Sequence, residues 1–273
     1  MFEKLKYKNH INEVIDFGAN GIYVNMSDLH DYEWTVNKKG NRITSLTRKF
    51  GTRKLPVIIV CSSEAEGIAA RNRMMEVFEK DCLAMEPGRV ILGGYYFKCF
   101  VTKSVKKSYM TSNRMMNLTL TLQSDQPYWV KESTVAFGLG SAEVVSGGVD
   151  YPFDYPFDYT ANAPEQIINS SLVPSNFRMV IYGACVNPSI TIVGHKYQVN
   201  CTVESGGYLT IDSVAKTIAL TDASGAVTNV FNSRNKQSYI FEKIPSGTSS
   251  VTWDGSFGFD IILLDERSEP KWT

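Results

Sequence analysis

Four carboxylates in the C-terminal half of the chain are the side chains whose type and spacing could support hydrolytic chemistry. They lie in or beside short apolar segments and are Glu204, Asp212, Asp254 and Asp260. Pairs of carboxylates that face each other carry out glycoside hydrolysis. A β-rich domain of this size brings carboxylates together by chance, and no further hydrolase motif accompanies them. We therefore predict that the protein is not an enzyme.

Residues that could act as nucleophiles or metal ligands do not follow the spacing of catalytic motifs. Ser62 and Ser63 come after a predicted strand and open a predicted helix, but the glycines of a G-x-S-x-G nucleophile elbow are absent. The histidines are far apart, and the odd number of widely spaced cysteines is typical of reduced core thiols. These residues are His10, His30, His195, Cys61, Cys82, Cys99, Cys185 and Cys201. We predict no metal and no cofactor.

Residues 151–159 read Tyr-Pro-Phe-Asp-Tyr-Pro-Phe-Asp-Tyr and form what we call the aromatic tape. In an extended backbone every second side chain lies on the same face, so all the aromatic rings would share one face. The two prolines exclude a helix interior and a central strand. We predict that the tape packs between domains or subunits, together with two nearby residues. The residues in this prediction are Tyr151, Phe153, Tyr155, Phe157, Tyr159, Pro127 and Trp129.

Residues 38–54 carry seven basic residues and no acidic one, although the whole chain has 28 of each and a net charge of zero. A basic stripe can bind nucleic acid, but a neutral chain with few interleaved aromatics is a poor polyanion binder. A solvated hairpin, or a basic arm that contacts acidic residues of a neighbouring subunit, fits better. We predict such an arm from Lys38, Lys39, Arg42, Arg48, Lys49 and Arg53. The acidic residues predicted to receive it are Glu64, Glu66, Glu76, Glu79 and Asp81.

A single long helix is predicted over residues 63–84. Ser63 and Glu66 have the spacing of a capping box, and Pro87-Gly88 ends the helical pattern. Apolar residues recur between these limits at helical spacing. The predicted buried stripe consists of Ala65, Ile68, Ala69, Met75, Phe78 and Cys82.

The rest of the pattern predicts β-strands in two domains. The alternation of Leu118, Leu120 and Leu122 with threonines is typical of a half-buried strand, and a Gly-rich stretch follows at 137–148. Eight short strands between residue 167 and the end predict a β-sandwich. We expect an N-terminal domain over 1–135, a linker with the tape over 136–165, and the sandwich over 166–273. On this sandwich Tyr208, Trp253 and Phe257 could stack on sugar rings.

The N-terminal residues lack the apolar core of a signal peptide, and the sequence has no run of 18 apolar residues. We expect synthesis and folding in a cytoplasm, and no membrane partner.

Several segments in a fixed order resemble the distal tail protein family of long-tailed bacteriophages and prophages. These segments are Tyr32-Glu-Trp34 with the basic residues to Lys54, the capped helix ending near Asp81-Cys82, Gly93-Gly-Tyr-Tyr96, Asp125-Gln-Pro127-Tyr-Trp129, the aromatic tape, Asn187-Pro188, and Leu209-Thr-Ile-Asp212-Ser213. The resemblance covers nearly the whole chain.

The resemblance implies an N-terminal β-sandwich with one helix and an extended belt, followed by a galectin-like β-sandwich. It also implies a hexameric ring at the tip of the phage tail, as the hub of the adsorption apparatus. The implied partners are the tail tube protein and a tail-associated fibre or lysin protein, and DNA would cross the ring without specific binding. The alternative is a carbohydrate-binding module that recognises a glycan of the host cell wall.

Overall fold

The computed structural model describes residues 5–24, 28–48, 50–109, 114–139 and 166–271. The chain divides into two compact units. Unit 1 comprises Met1–Lys131 with Glu266–Thr273, and unit 2 comprises Glu132–Asp265. The domain limits expected from the sequence stay a prediction. The aromatic tape and Lys49 lie outside the described residues.

Unit 1 contains antiparallel strands and one helix in its described residues. In chain order these are β1 (Leu5–Lys8), β2 (Val14–Phe17), β3 (Ile22–Val24), β4 (Trp34–Lys39), β5 (Arg42–Arg48), β6 (Gly51–Val60), α1 (Glu64–Ala84), β7 (Gly88–Leu92), β8 (Tyr95–Tyr109), β9 (Met115–Ser124) and the first residues of β10 (Trp129–Phe137), most of which belongs to unit 2. One sheet has the order β2-β1-β7-β8, and another has the order β3-β6-β9-β8. The long β8 serves both because residues 95–99 pair with β7 and residues 100–109 with β9.

The core of unit 1 follows the two-residue period of its strands. Leu118, Leu120 and Leu122 on β9 are at most 2% exposed, so the predicted alternation is confirmed. They pack with Leu55, Val57 and Ile59 of β6 and with Phe97 of β8 in one cluster. Helix α1 joins this cluster through Phe78, whose ring packs edge-on against Tyr7 of β1 with the ring centres 4.8 Å apart.

Helix α1 begins and ends where its capping residues predict. The Ser63 side chain accepts a hydrogen bond from the Glu66 backbone N–H at 3.2 Å. The Glu66 carboxylate in turn accepts from the hydroxyl of Ser62 at 2.5 Å. At the other end Met85 adopts the left-handed conformation, with φ of 56°, and ends the helix. The predicted range of 63–84 therefore agrees with the observed Glu64–Ala84.

The predicted buried stripe of α1 is wrong for three of its six members, confirmed for Phe78, and half met by Met75 and Cys82, which are partly buried. Ala65, Ile68 and Ala69 are exposed. The buried residues are Gly67, Met74, Val77, Phe78 and Asp81. The buried face includes a glycine and a carboxylate, which an apolar pattern cannot reveal. Asp81 is 0% exposed, so the prediction that it receives a neighbouring basic arm is also wrong.

Unit 2 is built from short antiparallel strands. In chain order these are β11 (Gln166–Asn169), β12 (Asn176–Tyr182), β13 (Cys185–Val186), β14 (Ser189–Ile192), β15 (His195–Gln198), β16 (Thr202–Val203), β17 (Tyr208–Asp212), β18 (Thr217–Thr221), β19 (Val227–Asn229), a 3₁₀ turn (Phe231–Ser233), β20 (Gly247–Thr252) and β21 (Phe259–Arg267). One sheet runs in the order β19-β18-β17-β12-β21-β10, and another in the order β11-β20-β14-β15.

The inward side chains of both sheets form one core in unit 2. Phe177, Leu209 and Ile211 of the first sheet and Ile190 and Val251 of the second are at most 1% exposed and belong to one cluster. This arrangement is the layered packing of a β-sandwich. The prediction of a mainly β protein with one long helix is confirmed for the described residues. No helix among them is long and apolar enough to cross a membrane.

Candidate functional site

The most exposed element of unit 1 is the hairpin of β4 and β5. The two strands pair with each other, with Thr35 opposite Thr47 and Val36 opposite Leu46. Among the described residues they form a two-stranded sheet of their own. Every residue of β4 is exposed, and so is every residue of β5 except the partly exposed Arg48.

The two faces of this hairpin differ in character, because residues paired across antiparallel strands lie on the same face. One face is largely apolar. It carries Trp34, Val36, Ile43 and Leu46, which are 39%, 42%, 62% and 54% exposed, together with Lys38 opposite Ile43 and Arg48 opposite Trp34. The opposite face is polar and carries Thr35, Asn37, Lys39, Arg42, Ser45 and Thr47. The amide of Asn37 donates to the Ser45 hydroxyl at 2.9 Å on this polar face.

An amphipathic hairpin in water is an incomplete structure. A two-stranded sheet alone is marginally stable, and stable sheets bury one face. Covering four apolar side chains that each expose about 80 Å² would contribute roughly 8 kcal/mol before the cost of ordering. The sequence analysis missed these apolar residues as a group. Their signal was the alternation of Trp34 with Val36, obscured by the register shift between Asn37 and Lys38.

We call residues 28–34 together with Arg48 the root of the hairpin. The core of unit 1 holds this root in place. Arg53 on β6 is 6% exposed, and one guanidinium nitrogen donates to three backbone carbonyls of the segment that precedes the hairpin. These carbonyls belong to Asp28 at 2.9 Å, Leu29 at 2.7 Å, and Asp31. Burial lowers the pKa of Arg53, and the nearby Asp28 and Asp31 oppose this effect. The prediction that Arg53 contacts another subunit is therefore wrong, because the core of unit 1 uses its charge.

Trp129 and Pro127 support the same root from the other side. The Trp129 indole nitrogen donates to the Leu29 carbonyl at 3.2 Å, and its ring lies 5.5 Å from that of Phe97. A side chain on Gly51 would contact Pro127 at 3.1 Å, so the chain approaches closely there. Trp129 is 0% exposed. Trp129 thus packs inside unit 1, which corrects the expectation that it packs between domains or subunits, whereas Pro127 is partly exposed and its role stays a prediction.

The predicted basic residues fall into two groups. Lys38, Lys39 and Arg42 are exposed near the tip of the hairpin. Lys38 and Lys39 belong to β4. Arg48 lies at the root, where its guanidinium is 5.3 Å from the centre of the Trp34 ring and 5.1 Å from that of Tyr128. Its carbon stem therefore continues the apolar face.

Replacement of Arg53 by methionine should loosen this root. The variant leaves the carbonyls of Asp28 and Asp31 without their guanidinium donor. We expect a loss of about 2 to 3 kcal/mol in the free energy of unfolding, measured by urea denaturation. Lys54→Met is the matched control, because exposed Lys54 adjoins Arg53 on β6 and the change removes the same charge. Equal stability of the two variants would contradict the role given to the hydrogen bonds of Arg53.

The aromatics predicted to stack on sugars differ in their exposure. Phe257 is 3% exposed and Trp253 packs edge-on against Phe259 at 5.2 Å, so the prediction is wrong for Phe257 and unsupported for Trp253. Tyr208 is 39% exposed and pairs across the strands with Tyr182, which is 43% exposed. The Tyr182 hydroxyl donates to Asp260 at 2.7 Å, and this bond raises the pKa of Tyr182 to about 12.

Two of the candidate hydrolytic carboxylates, Asp212 and Asp254, serve local structure. Asp212 accepts from the backbone of Val214 at 2.8 Å, and Asp254 accepts from the backbone of Ser256 at 3.0 Å. Both are turn contacts of short polar side chains. No group of three potential metal ligands occurs in the described parts of the chain. The five cysteines are free thiols.

Comparison with known proteins gives a match in structure. No protein-family model matches the chain, and no curated protein matches it in sequence. A chain of the phage P2 baseplate in its activated conformation with Ca superposes with a TM-score of 0.65 and 12% identity, over 99% of this chain and 100% of the other. The Dit protein (gp 19.1) of phage SPP1, described as a paradigm of hub adsorption apparatus in phages that infect Gram-positive bacteria, superposes with a TM-score of 0.60 and 8% identity, over 97% and 99% of the two chains.

The chain has the fold of these phage baseplate and hub proteins. The predicted resemblance to the distal tail family is thereby confirmed at the level of the fold. The match extends over almost the whole length of both chains in each comparison. The galectin-like character of the second sandwich stays a prediction.

Proposed function

We propose that this chain is a structural protein of a phage tail tip, and that six copies form a ring at the end of the tail tube. The observation that carries the proposal is the hub fold over 99% of the chain. The exposed amphipathic hairpin adds to it, because its apolar face needs a cover. The protein would be made in the cytoplasm of the host bacterium and act in the virion, without catalytic activity.

A second copy of the chain is the cover that we propose for the hairpin. Its apolar face would lie on the neighbouring copy, while Lys39 and Arg42 on the polar face would remain near the interface rim. The neighbour offers exposed acidic residues on α1 for such rim contacts, namely Glu64, Glu66, Glu76 and Glu79. Rim charges of this kind contribute to orientation and association rate more than to affinity.

The remaining partners follow from the proposed position in the tail. The ring would join the tail tube protein on one side to a tail-associated fibre or lysin protein on the other. DNA would pass through its channel, and the net charge of zero suits a conduit that does not retain a polyanion.

Electron microscopy of the purified protein, combined with mass measurement, tests this proposal. We expect particles of six-fold symmetry with six times the 30.5 kDa mass of one chain. Antibodies against the protein should label the tail tip of intact phage particles. A monomer at every concentration, together with unlabelled tails, would refute the proposal.

The second candidate function is recognition of a glycan by unit 2. The observation that favours it is the exposed pair of Tyr182 and Tyr208, with the Asp260 carboxylate held beside it. Aromatic faces flanked by carboxylates are suited to sugar rings, whose C–H groups stack and whose hydroxyls donate. Binding on a glycan array that disappears in Tyr208→Ala would support this candidate.

A further inference from the structure

Unit 2 carries a second surface whose chemistry the proposed ring does not use. We call it the basic patch and define it by Lys196, Lys216, Arg234, Lys236 and Tyr239. Tyr239 is 56% exposed, and Lys196, Lys216 and Lys236 are exposed as well. The residues come from three separate parts of the chain, so the patch exists only in the folded protein.

Hydrogen bonds hold two of these parts together, residues 195–198 and residues 235–239. His195 on β15 contacts the Tyr239 carbonyl through its Nε2 at 2.9 Å, and the Ser238 hydroxyl donates to the Lys196 carbonyl at 2.6 Å. Asn235 donates from its side-chain amide to the Gln198 side chain at 3.0 Å. The backbone around Tyr239 is therefore fixed against β15, which makes the patch preorganised.

Two cations of the patch lie over aromatic rings. The Lys216 ammonium is 5.4 Å from the centre of the Tyr239 ring and 5.2 Å from that of Phe241, which is 4% exposed. The Arg234 guanidinium is 4.0 Å from the centre of the Phe231 ring. The first contact places the Lys216 ammonium beside Tyr239, and the second holds the Arg234 guanidinium against Phe231.

The local charge is strongly positive although the chain is neutral. Segments 195–198, 214–218 and 230–243 contain five basic residues, which are those of the patch and Lys243, and a single acidic residue, Glu242. A concentration of like charge costs free energy through mutual repulsion. A cluster of positive charge beside an exposed aromatic ring is suited to a ligand that is anionic and also has an apolar face.

We propose that the basic patch binds a phosphate-bearing polysaccharide. Lysine and arginine side chains recognise phosphate oxygens through charge-assisted hydrogen bonds, and the Tyr239 ring can stack on the C–H face of a sugar. The exposed amide of Gln237 adds a partner for sugar hydroxyls. Nucleic acid fits less well, because its binding surfaces present successive stacking rings, whereas Tyr239 is the single exposed aromatic in this patch.

The inference makes the glycan-binding candidate more specific, because it names the class of glycan. It rests on the proposed function in one respect, namely that a protein at the tail tip would encounter such a polymer on the host cell. It concerns residues distinct from the exposed Tyr182 and Tyr208 pair. It is also independent of the hairpin, since all its residues belong to unit 2.

Calorimetric titration of the purified full chain can separate the contributions of charge and sugar. Three probes suffice: phosphorylated dextran, unmodified dextran, and inorganic polyphosphate. We expect phosphorylated dextran to bind about tenfold more tightly than polyphosphate at equal phosphate concentration, and dextran to show no binding. Binding should weaken as salt concentration rises.

Variants assign the binding to the patch. Lys216→Gln with Lys236→Gln should weaken binding of phosphorylated dextran about tenfold. Lys103→Gln with Lys106→Gln is the matched control, because it removes the same charge from exposed positions of β8 in unit 1. Tyr239→Ala should leave polyphosphate binding unchanged and abolish the preference for the phosphorylated sugar.

Equal affinity for polyphosphate and phosphorylated dextran would overturn the inference, because charge alone would then explain binding. Equal loss in the patch and control variants would overturn it as well, and so would preferential binding of single-stranded DNA of matched charge. If the protein forms rings but does not bind phosphorylated dextran, the result contradicts this inference and leaves the proposed function intact. If it binds phosphorylated dextran but forms no rings, the result contradicts only the proposed assembly.

Discussion

Replacement of Val36 and Leu46 by aspartate is expected to abolish ring formation while leaving the chain folded. The two residues are opposite each other on the apolar face of the hairpin and are 42% and 54% exposed. If a neighbouring copy covers them, assembly of the variant must bury two carboxylates without partners. Loss of the apolar contacts and desolvation of the charges together amount to at least about 3 kcal/mol per contact, or a hundredfold in each dissociation constant.

The matched control for this experiment is Thr35→Asp with Thr47→Asp. Thr35 and Thr47 are also opposite each other on the same hairpin, but on its polar face. Both double variants introduce the same charge and the same cross-strand repulsion, so only the face differs. Mass measurement and electron microscopy should show rings for the control and separate chains for the apolar-face variant. If both double variants form rings, the apolar face of the hairpin does not lie in the interface between copies.

Replacement of Asp81 by alanine is expected to cause the largest loss of stability of any single change considered for unit 1. Asp81 is 0% exposed and accepts hydrogen bonds from the Tyr7 hydroxyl at 2.5 Å and the His10 backbone N–H at 2.9 Å. Its carboxylate also lies 2.5 Å from the His10 ring nitrogen Nδ1. The carboxylate thus joins α1 to β1 and to the turn that follows it. Burial is the main reason that the pKa of Tyr7 is raised, with the hydrogen bond to Asp81 adding to it.

Without Asp81 the Tyr7 hydroxyl and the His10 backbone N–H would be left without an acceptor. We expect a decrease of about 3 to 5 kcal/mol in the free energy of unfolding and a fall in melting temperature on the order of 10 to 20 °C. Calorimetry and urea denaturation measure both. Glu79→Ala is the control, since it removes an exposed carboxylate of the same helix and should change stability by less than about 0.5 kcal/mol. A comparable small effect for Asp81→Ala would show that the network contributes little.

Local patterns in the sequence determined much of the secondary structure. The capping box at Ser63 and Glu66 located the start of α1, and the alternation on β9 identified which leucines face the core. Both signals depend on residues within one or two helical turns or along one strand, so they can be identified in the sequence before the fold is known.

Only the tertiary structure decided which charged and aromatic residues are available to partners. Arg53 is one of seven basic residues in 38–54, yet it is buried and bound by backbone carbonyls more than 20 residues away in sequence. Of the acidic residues predicted on α1, Asp81 is the buried one, and Phe257 is buried although it was predicted to stack on sugars. The basic patch around Tyr239 likewise joins segments that are distant in the chain. Composition and periodicity describe neighbours along the chain, whereas burial and partnership are set by long-range packing.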